Sequence, residues 1–242
     1  MIVQNAILLA AGLGTRMRPL TDTTPKPLLT LGGRCLLDHA LDRLAAQGVA
    51  HVAVNAHWHA SQVAAHLAAR PEPPRTKVRH EPALLDTGGA VAAALTDGAL
   101  GGGPFFIVNG DTVWLDGPVP ALRRIAASLT DALDAVILVH RTFQVHSEIG
   151  PGDFFLDSWG RPRRRREREI APYIYAGVTL ARPKLFTGPR HVFSMNNVWD
   201  RAIAAGRLGA VVHDGLWFHF TRPADLQEAE YALTAQLTGS TT

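Results

Sequence analysis

The chain has 242 residues, 47% of them hydrophobic and 19% charged, with a formal net charge of +3. That length suits one generous α/β domain. The apolar content supplies a sizeable core and does not indicate disorder, and the mild excess of base suits a solvated surface first, and anionic small molecules as readily as nucleic acid. Cys35 is the one cysteine, so no intramolecular disulfide can form and a reducing cytoplasm is expected. With no cationic leader and no run of about 18 apolar residues, neither secretion nor a membrane span is expected.

The first element is "NAILLAA" at 5–11, a continuous apolar run typical of a strand buried on both faces, and a glycine loop comes directly after it. Leu36, Leu37, Ala40, Leu41 and Leu44 recur at helical spacing over 36–47, with Gly48 placed as a C-terminal cap. "HVAVNA" at 51–56 reads as a strand, "ASQVAAHLAA" at 60–69 as a helix and "RPEPPR" at 70–75 as a surface connection. The alternation continues with a strand near 77–81, a helix near 88–96, a strand at 105–111, a helix near 121–129 and a strand at 135–140. Such alternation predicts an α/β fold, a doubly wound, mostly parallel Rossmann-like sheet covered on both faces. After about residue 141 turn residues and a basic run interrupt the rhythm, and antiparallel additions are expected rather than further βαβ units. The chain then offers a strand at 173–181, a helix at 196–206, a short strand at 216–220 and a closing helix at 223–237, with Pro223 suited to a first helical turn and a frayed tail over 238–242.

The segment after the first strand, "LAAGLGTRMRPLTDTTPKPL" at 9–28, carries the most chemistry. Glycines directly after a strand let backbone N–H groups approach a phosphate, and a nearby helix N-terminus adds partial positive charge. A P-loop would need a Gly-Lys-Ser/Thr ending, which is absent. A dinucleotide fingerprint is only partly met by Gly12, Gly14 and Met17, and "HVAVNAHWH" ends without the acidic residue that would hold a ribose. Between a bare tight turn and a phosphate cradle, the neighbouring Arg16 and Lys26 favour the cradle.

This segment resembles the signature of the sugar-1-phosphate nucleotidyltransferases, roughly G-x-G-x-R-x-x-P-L-T and then P-K-P. "VNGDT" at 108–112 is similar to that family's metal-binding strand end and "LDTGGA" at 85–90 to its nucleotide loop, so the resemblance covers most of the chain. The short length, "LDTGGA", "GPGDF" at 150–154 and a W-x-H ending resemble the branch of bacterial N-acetylmuramate α-1-phosphate uridylyltransferases. The resemblance implies a nucleotidyltransferase type A-like fold with a small antiparallel sugar-binding extension. In that picture 1–242 is one domain: a nucleotide-binding core to about 140, a sugar-binding part over about 141–222 and a closing helix at 223–238. It implies attack by a sugar 1-phosphate on the α-phosphorus of a nucleoside triphosphate, releasing pyrophosphate, with Mg²⁺ or Mn²⁺ as cofactor. UTP and N-acetylmuramate 1-phosphate are the favoured substrates and GTP with mannose 1-phosphate the alternative; a regulator that binds nucleotide sugars without turnover is the alternative of another class.

Carried onto this sequence, the resemblance makes Arg16, Lys26 and Asp111 catalytic. Arg16 would fork onto the triphosphate, Lys26 would supply a point charge near the α-phosphate, and Asp111 would hold the metal. Leu9, Ala10, Ala11, Gly12, Gly14, Thr15, Glu81, Asp86, Thr87, Gly88 and Asn109 join these three in binding nucleotide, with Gly88 placed to let a ring pass close. Asn109, Gly110, Asp153, Glu167, Arg168 and Gly177 would face the sugar phosphate. Glu81 stands about where relatives carry a base-reading glutamine. A carboxylate only accepts hydrogen bonds, which suits an N–H of uracil or the two adjacent donors of guanine, so the resemblance favours uridine while this one residue favours guanosine. His219 takes the place of the family's second metal-binding aspartate, in "WFHFTRP". Imidazole is a poorer match to Mg²⁺ than oxygen, which brings in Mn²⁺ or a water-mediated contact. The run "RPRRRRERE" at 161–169 has no interleaved aromatics and reads as a solvated basic hairpin rather than a nucleic-acid site. On a regular strand Arg164, Arg166 and Arg168 would share a face, so Glu167 and Arg168 could serve one sugar only if the strand broke there. The expected partners are thus the two small substrates, with no nucleic acid, no membrane and at most a small homo-oligomer.

Overall fold

The computed structural model describes residues 1–145, 149–188 and 191–239. In chain order the strands are β1 (Asn5–Leu9), β2 (Thr30–Leu31), β3 (Arg34–Cys35), β4 (His51–Ala56), β5 (Arg75–His80), β6 (Phe105–Asn109), β7 (Val113–Leu115), β8 (Ala135–Arg141), β9 (Phe154–Leu156), β10 (Pro162–Arg164), β11 (Tyr173–Ala181), β12 (Leu208–Val212) and β13 (Leu216–Phe218). The helices are α1 (Leu36–Ala46), α2 (Ala60–Ala69), α3 (Asp86–Thr96), α4 (Ala121–Ser128), α5 (Met195–Ala204) and α6 (Pro223–Gly239).

The main sheet runs β10-β9-β11-β6-β1-β4-β5, with β8 on the other edge of β11 and β12 beyond it. β5, β4, β1 and β6 are mutually parallel, as the alternating pattern requires. β11 enters antiparallel between β6 and β8. The antiparallel additions expected after residue 141 are present in β9, β10, β11 and β13, but β12 departs from that expectation and lies parallel to β8. Its "LGAVV" is short and begins directly behind the turn that ends α5, so the apolar run reads as the tail of a helix unless its pairing with β8 is known.

Alternating side chains divide the sheet's faces between two helical layers. Leu8, Val52, Val54, Phe106 and Val108 pack against Leu37, Leu41 and Leu44 of α1, Val63 of α2 and Ile125 of α4. Ile7, Ala53, Phe105 and Ile107 meet Val91 and Ala94 of α3 and Val198 and Trp199 of α5. Each fully buried side chain of this kind contributes about 1.5–3 kcal/mol by leaving water. A third cluster joins Leu226 and Ala229 of α6 to Met17, Leu31, Leu36 and Phe220, placing the last helix behind the glycine loop. The tail expected to fray from 238 is helical through Gly239, and residues 240–242 lie outside the described residues.

Two boundaries bear on the site. β10 stops at Arg164, so regular strand geometry ends before Glu167 and Arg168. The basic run is largely exposed, with Arg161, Arg163, Arg166 and Arg168 in solvent, while Arg164 is half-buried: it pairs with Asp200 at 3.0 Å and its guanidinium lies 5.1 Å from the centre of the Phe154 ring. β13 ends at Phe218, leaving His219 just beyond the strand that was expected to contain it. Among the described residues no helix is long and apolar enough to cross a membrane.

Candidate active site

Leu9, Asn55 and Asn109 are register partners at the carboxyl ends of β1, β4 and β6, where open parallel sheets bind ligands. The chain leaves β1 tied to its neighbour, since Ala10 N–H donates to Asn55 Oδ1 at 2.8 Å. Gly14 then turns the loop with φ +63°; a Cβ there would stand 3.0 Å from Thr21 Cγ2 and 3.2 Å from Lys26 Cβ, so both the conformation and the space select glycine. Thr21 Oγ1 closes the turn onto the Gly14 carbonyl at 2.8 Å. The returning strand of the loop is clamped from outside by Trp58 Nε1 on the Thr21 carbonyl at 3.1 Å and Gln62 Nε2 on the Thr23 carbonyl at 2.8 Å. The loop is therefore held in shape by the protein's own side chains.

A cleft of about 620 Å³ opens over these strand ends. Every residue expected to bind nucleotide lines it except Gly88. Gly88 does make room for a ring, but that ring belongs to Phe193: a Cβ would meet it at 2.5 Å, and Gly88 N–H donates to the Phe193 carbonyl at 2.9 Å. At one end of the cleft Arg16 is exposed, while Lys26 and Asp111 form a close ion pair. At the other end Glu81 is buried with its carboxylate facing Asn55 Nδ2 at 2.9 Å.

His219 does not line the cleft but sits behind its charged end, stacked on Trp217 with ring centres 5.4 Å apart. Burial holds its imidazole below the usual histidine range; Asp111 opposes that shift, and Lys26 and Arg16 reinforce it. A neutral imidazole near Asp111 is the form that can ligate a cation. Elsewhere, Cys35, Asp38 and His66 bring three potential ligand atoms within 4.8 Å of one another. There Arg70 already neutralises Asp38 at 3.1 Å and His66 bonds it at 3.0 Å, which makes the group a polar strut between α1 and α2.

The residues expected to face the sugar are less concentrated. Asn109 lines the cleft, and Gly110 lies beside it with its N–H on the Leu9 carbonyl at 2.9 Å. Asp153, Glu167, Arg168 and Gly177 lie outside the cleft wall. Asp153 Oδ2 accepts from Tyr175 N–H at 2.8 Å, and Glu167 and Arg168 are exposed beyond β10. Gly177 has φ +79° at the irregularity of β11, and the place of its missing Cβ is filled by Thr112, whose Oγ1 would be 2.0 Å away. It serves close packing of β11 on the turn after Asp111. Asn55 was not among the expected residues; its only signal in the sequence is a polar residue at the end of an otherwise apolar strand.

A strand-loop cradle with two cations and a carboxylate at the carboxyl edge of a parallel sheet is the architecture of a nucleotidyltransferase. Residues 6–151 match the MobA-like NTP transferase domain, and the chain belongs to that family. It is 39% identical over 96% of both chains to an N-acetylmuramate alpha-1-phosphate uridylyltransferase of Caulobacter vibrioides. It is 32% identical, over 93% of this chain and 96% of the other, to the enzyme of the same name from Neisseria meningitidis serogroup B. Among solved structures, the inositol-1-phosphate CTP transferase from T. maritima superposes with a TM-score of 0.74 at 20% identity over 97% of this chain and 96% of that one, a likeness of fold.

Proposed function

We propose that the protein transfers the uridylyl group of UTP to N-acetylmuramate 1-phosphate, yielding the UDP-sugar and pyrophosphate. The observation that carries this reading is the cleft itself, with Arg16, Lys26 and Asp111 converging at one end and the acceptor-only Glu81 at the other. The two uridylyltransferase relatives, matched over nearly their whole length, support the choice of substrates.

In the proposed reaction a phosphate oxygen of the sugar 1-phosphate forms a bond to the α-phosphorus as the bond from that phosphorus to the bridging oxygen of pyrophosphate breaks. The nucleophile is already ionised, so no general base is needed. The chain's work is to hold two anions in line and to offset charge. Backbone N–H groups of the glycine loop and the Arg16 fork would bind the triphosphate, and Lys26 would turn its ammonium toward the α-phosphate. Asp111, whose carboxylate lines the cleft and already faces a cation in Lys26, would hold a divalent ion with the substrate phosphates supplying most of its other ligands, and His219, outside the cleft wall, would serve it only through water. Bound there, Mg²⁺ or Mn²⁺ would neutralise charge on the transferring group.

The test is pyrophosphate release with UTP, GTP, dTTP, CTP and ATP, each against a panel of sugar 1-phosphates, with Mg²⁺ or Mn²⁺. Turnover greatest for UTP with N-acetylmuramate 1-phosphate is expected. Silence of every pair while nucleotide still binds would replace transfer by a regulatory binding role.

A further inference from the structure

We infer that Asn55 is a positioning residue that fixes which atoms Glu81 presents to the base, and that it thereby selects the single ring N–H of uracil against guanine and cytosine. This rests on the uridylyltransferase reading and gives it a structural origin.

Asn55 stands at the end of β4, is 3% exposed, and has its two side-chain ends committed in opposite directions. Its Oδ1 accepts Ala10 N–H at 2.8 Å, an acceptor role that only the carbonyl end of the amide can play. Its Nδ2 must then face Glu81, and it donates to Oε1 at 2.9 Å. The backbone of the phosphate loop thus dictates the orientation of the amide, and the amide dictates the orientation of the carboxylate.

The consequence falls on Glu81. Its Oε1 is turned to Asn55, while among the described residues Oε2 receives only Leu85 N–H at 3.4 Å, near the limit of a hydrogen bond, and is the freer of the two. With Oε1 oriented toward Asn55, one oxygen is left to face the base, which suits one donor. The N3–H of uracil offers that. Guanine presents N1–H and the exocyclic amine side by side and is best met by both oxygens, which Asn55 prevents. Cytosine and adenine turn a bare ring nitrogen toward the carboxylate, so two acceptors would oppose each other.

Two substitutions separate this role from simple structural support, because each is read as a ratio within one protein. In Asn55→Ala, Glu81 is released to offer both oxygens, and the ratio of UTP to GTP, in kcat/KM or in binding affinity, is expected to fall at least tenfold. In Glu81→Gln, Asn55 Nδ2 still requires an acceptor and would draw the new amide's oxygen, leaving its NH₂ for the base. The ratio of UTP to CTP should then fall at least tenfold, toward cytosine, whose N3 accepts. Nucleotide affinities measured by calorimetry accompany the rates, so a wild type that binds UTP without turnover would sink the transferase reading while leaving base selection open to the same ratios. Unchanged ratios in both variants, with wild-type UTP preference intact, would overturn the role of Asn55 alone.

Discussion

The segment proposed to hold phosphate and the residues proposed to face the sugar are built on different plans. At the phosphate end one segment, 9–28, supplies the backbone turn, Arg16 and Lys26, and its shape is locked by Gly14, Thr21, Trp58 and Gln62. The residues proposed to face the sugar come from separate stretches around β9, β10 and β11, and Asp153 and Gly177 are engaged in holding those strands together. The contrast teaches that a preorganised charge cradle can be encoded locally, whereas a site assembled from distant strands shares its residues with packing.

The sharpest way to break this contrast is at the cradle. Arg16→Ala and Lys26→Ala should each lower kcat/KM by about 10²–10³-fold, the scale of removing one preorganised charge donor, with far-ultraviolet circular dichroism unchanged. Equal loss at a control surface arginine would remove the distinction. Next comes the seam between the two ends, where Gly177 meets Thr112. Gly177→Ala should cost about 2 kcal/mol or more in chemical denaturation through its positive φ and the collision. Adding Thr112→Ala should recover only the part due to collision, and full recovery would show that the backbone carries no strain there.

At the sugar end, Glu167→Gln and Arg168→Ala are expected to raise KM for the sugar 1-phosphate up to about tenfold while leaving KM for UTP within twofold, a loss of about 1.4 kcal/mol or less. A change confined to UTP would move these residues to the other substrate. The smallest effect belongs to a three-residue charge cluster remote from both regions. Arg207, and after it Lys184, holds the Asp134 carboxylate down to about 2 from the ordinary 3.8. A carboxylate with a depressed folded pKa adds stability above its unfolded value and loses it as pH falls through the folded one. Asp134→Asn should therefore cost about 1 kcal/mol near neutrality, and the gap from wild type should close between about pH 4 and pH 2, with the relative rates of both substrates unaltered.

The same contrast governs what could be read from the sequence. The parallel strands announced themselves because β1, β4, β6 and β8 are buried runs of apolar residues flanked by amphipathic helices. The cradle was legible because its glycines and cations lie within one segment. Asn55 was not, since its meaning depends on Ala10 and Glu81, which only strand pairing brings beside it. Gly88 was read toward a ligand when its space is claimed by Phe193, more than a hundred residues later in the chain. Arg164 likewise looked like part of a solvated run until α5 brought Asp200 to it. Pattern reports what neighbours in sequence share; it is silent on partners supplied by folding.

The position of α6 has a practical consequence. Leu226 and Ala229 pack on Met17 and Leu31, and Glu230 accepts the Gly32 N–H at 2.6 Å, although none of the described side chains of this helix lines the cleft. A protease that nicks the chain between Phe220 and Pro223 would leave every cleft residue covalently in place except Thr221. Yet it would free the brace behind the glycine loop, so preparations clipped there should lose nucleotide affinity before they lose secondary structure. An affinity tag is better carried at the amino terminus, where Met1 and Ile2 are exposed, than fused to the helix that backs the phosphate loop.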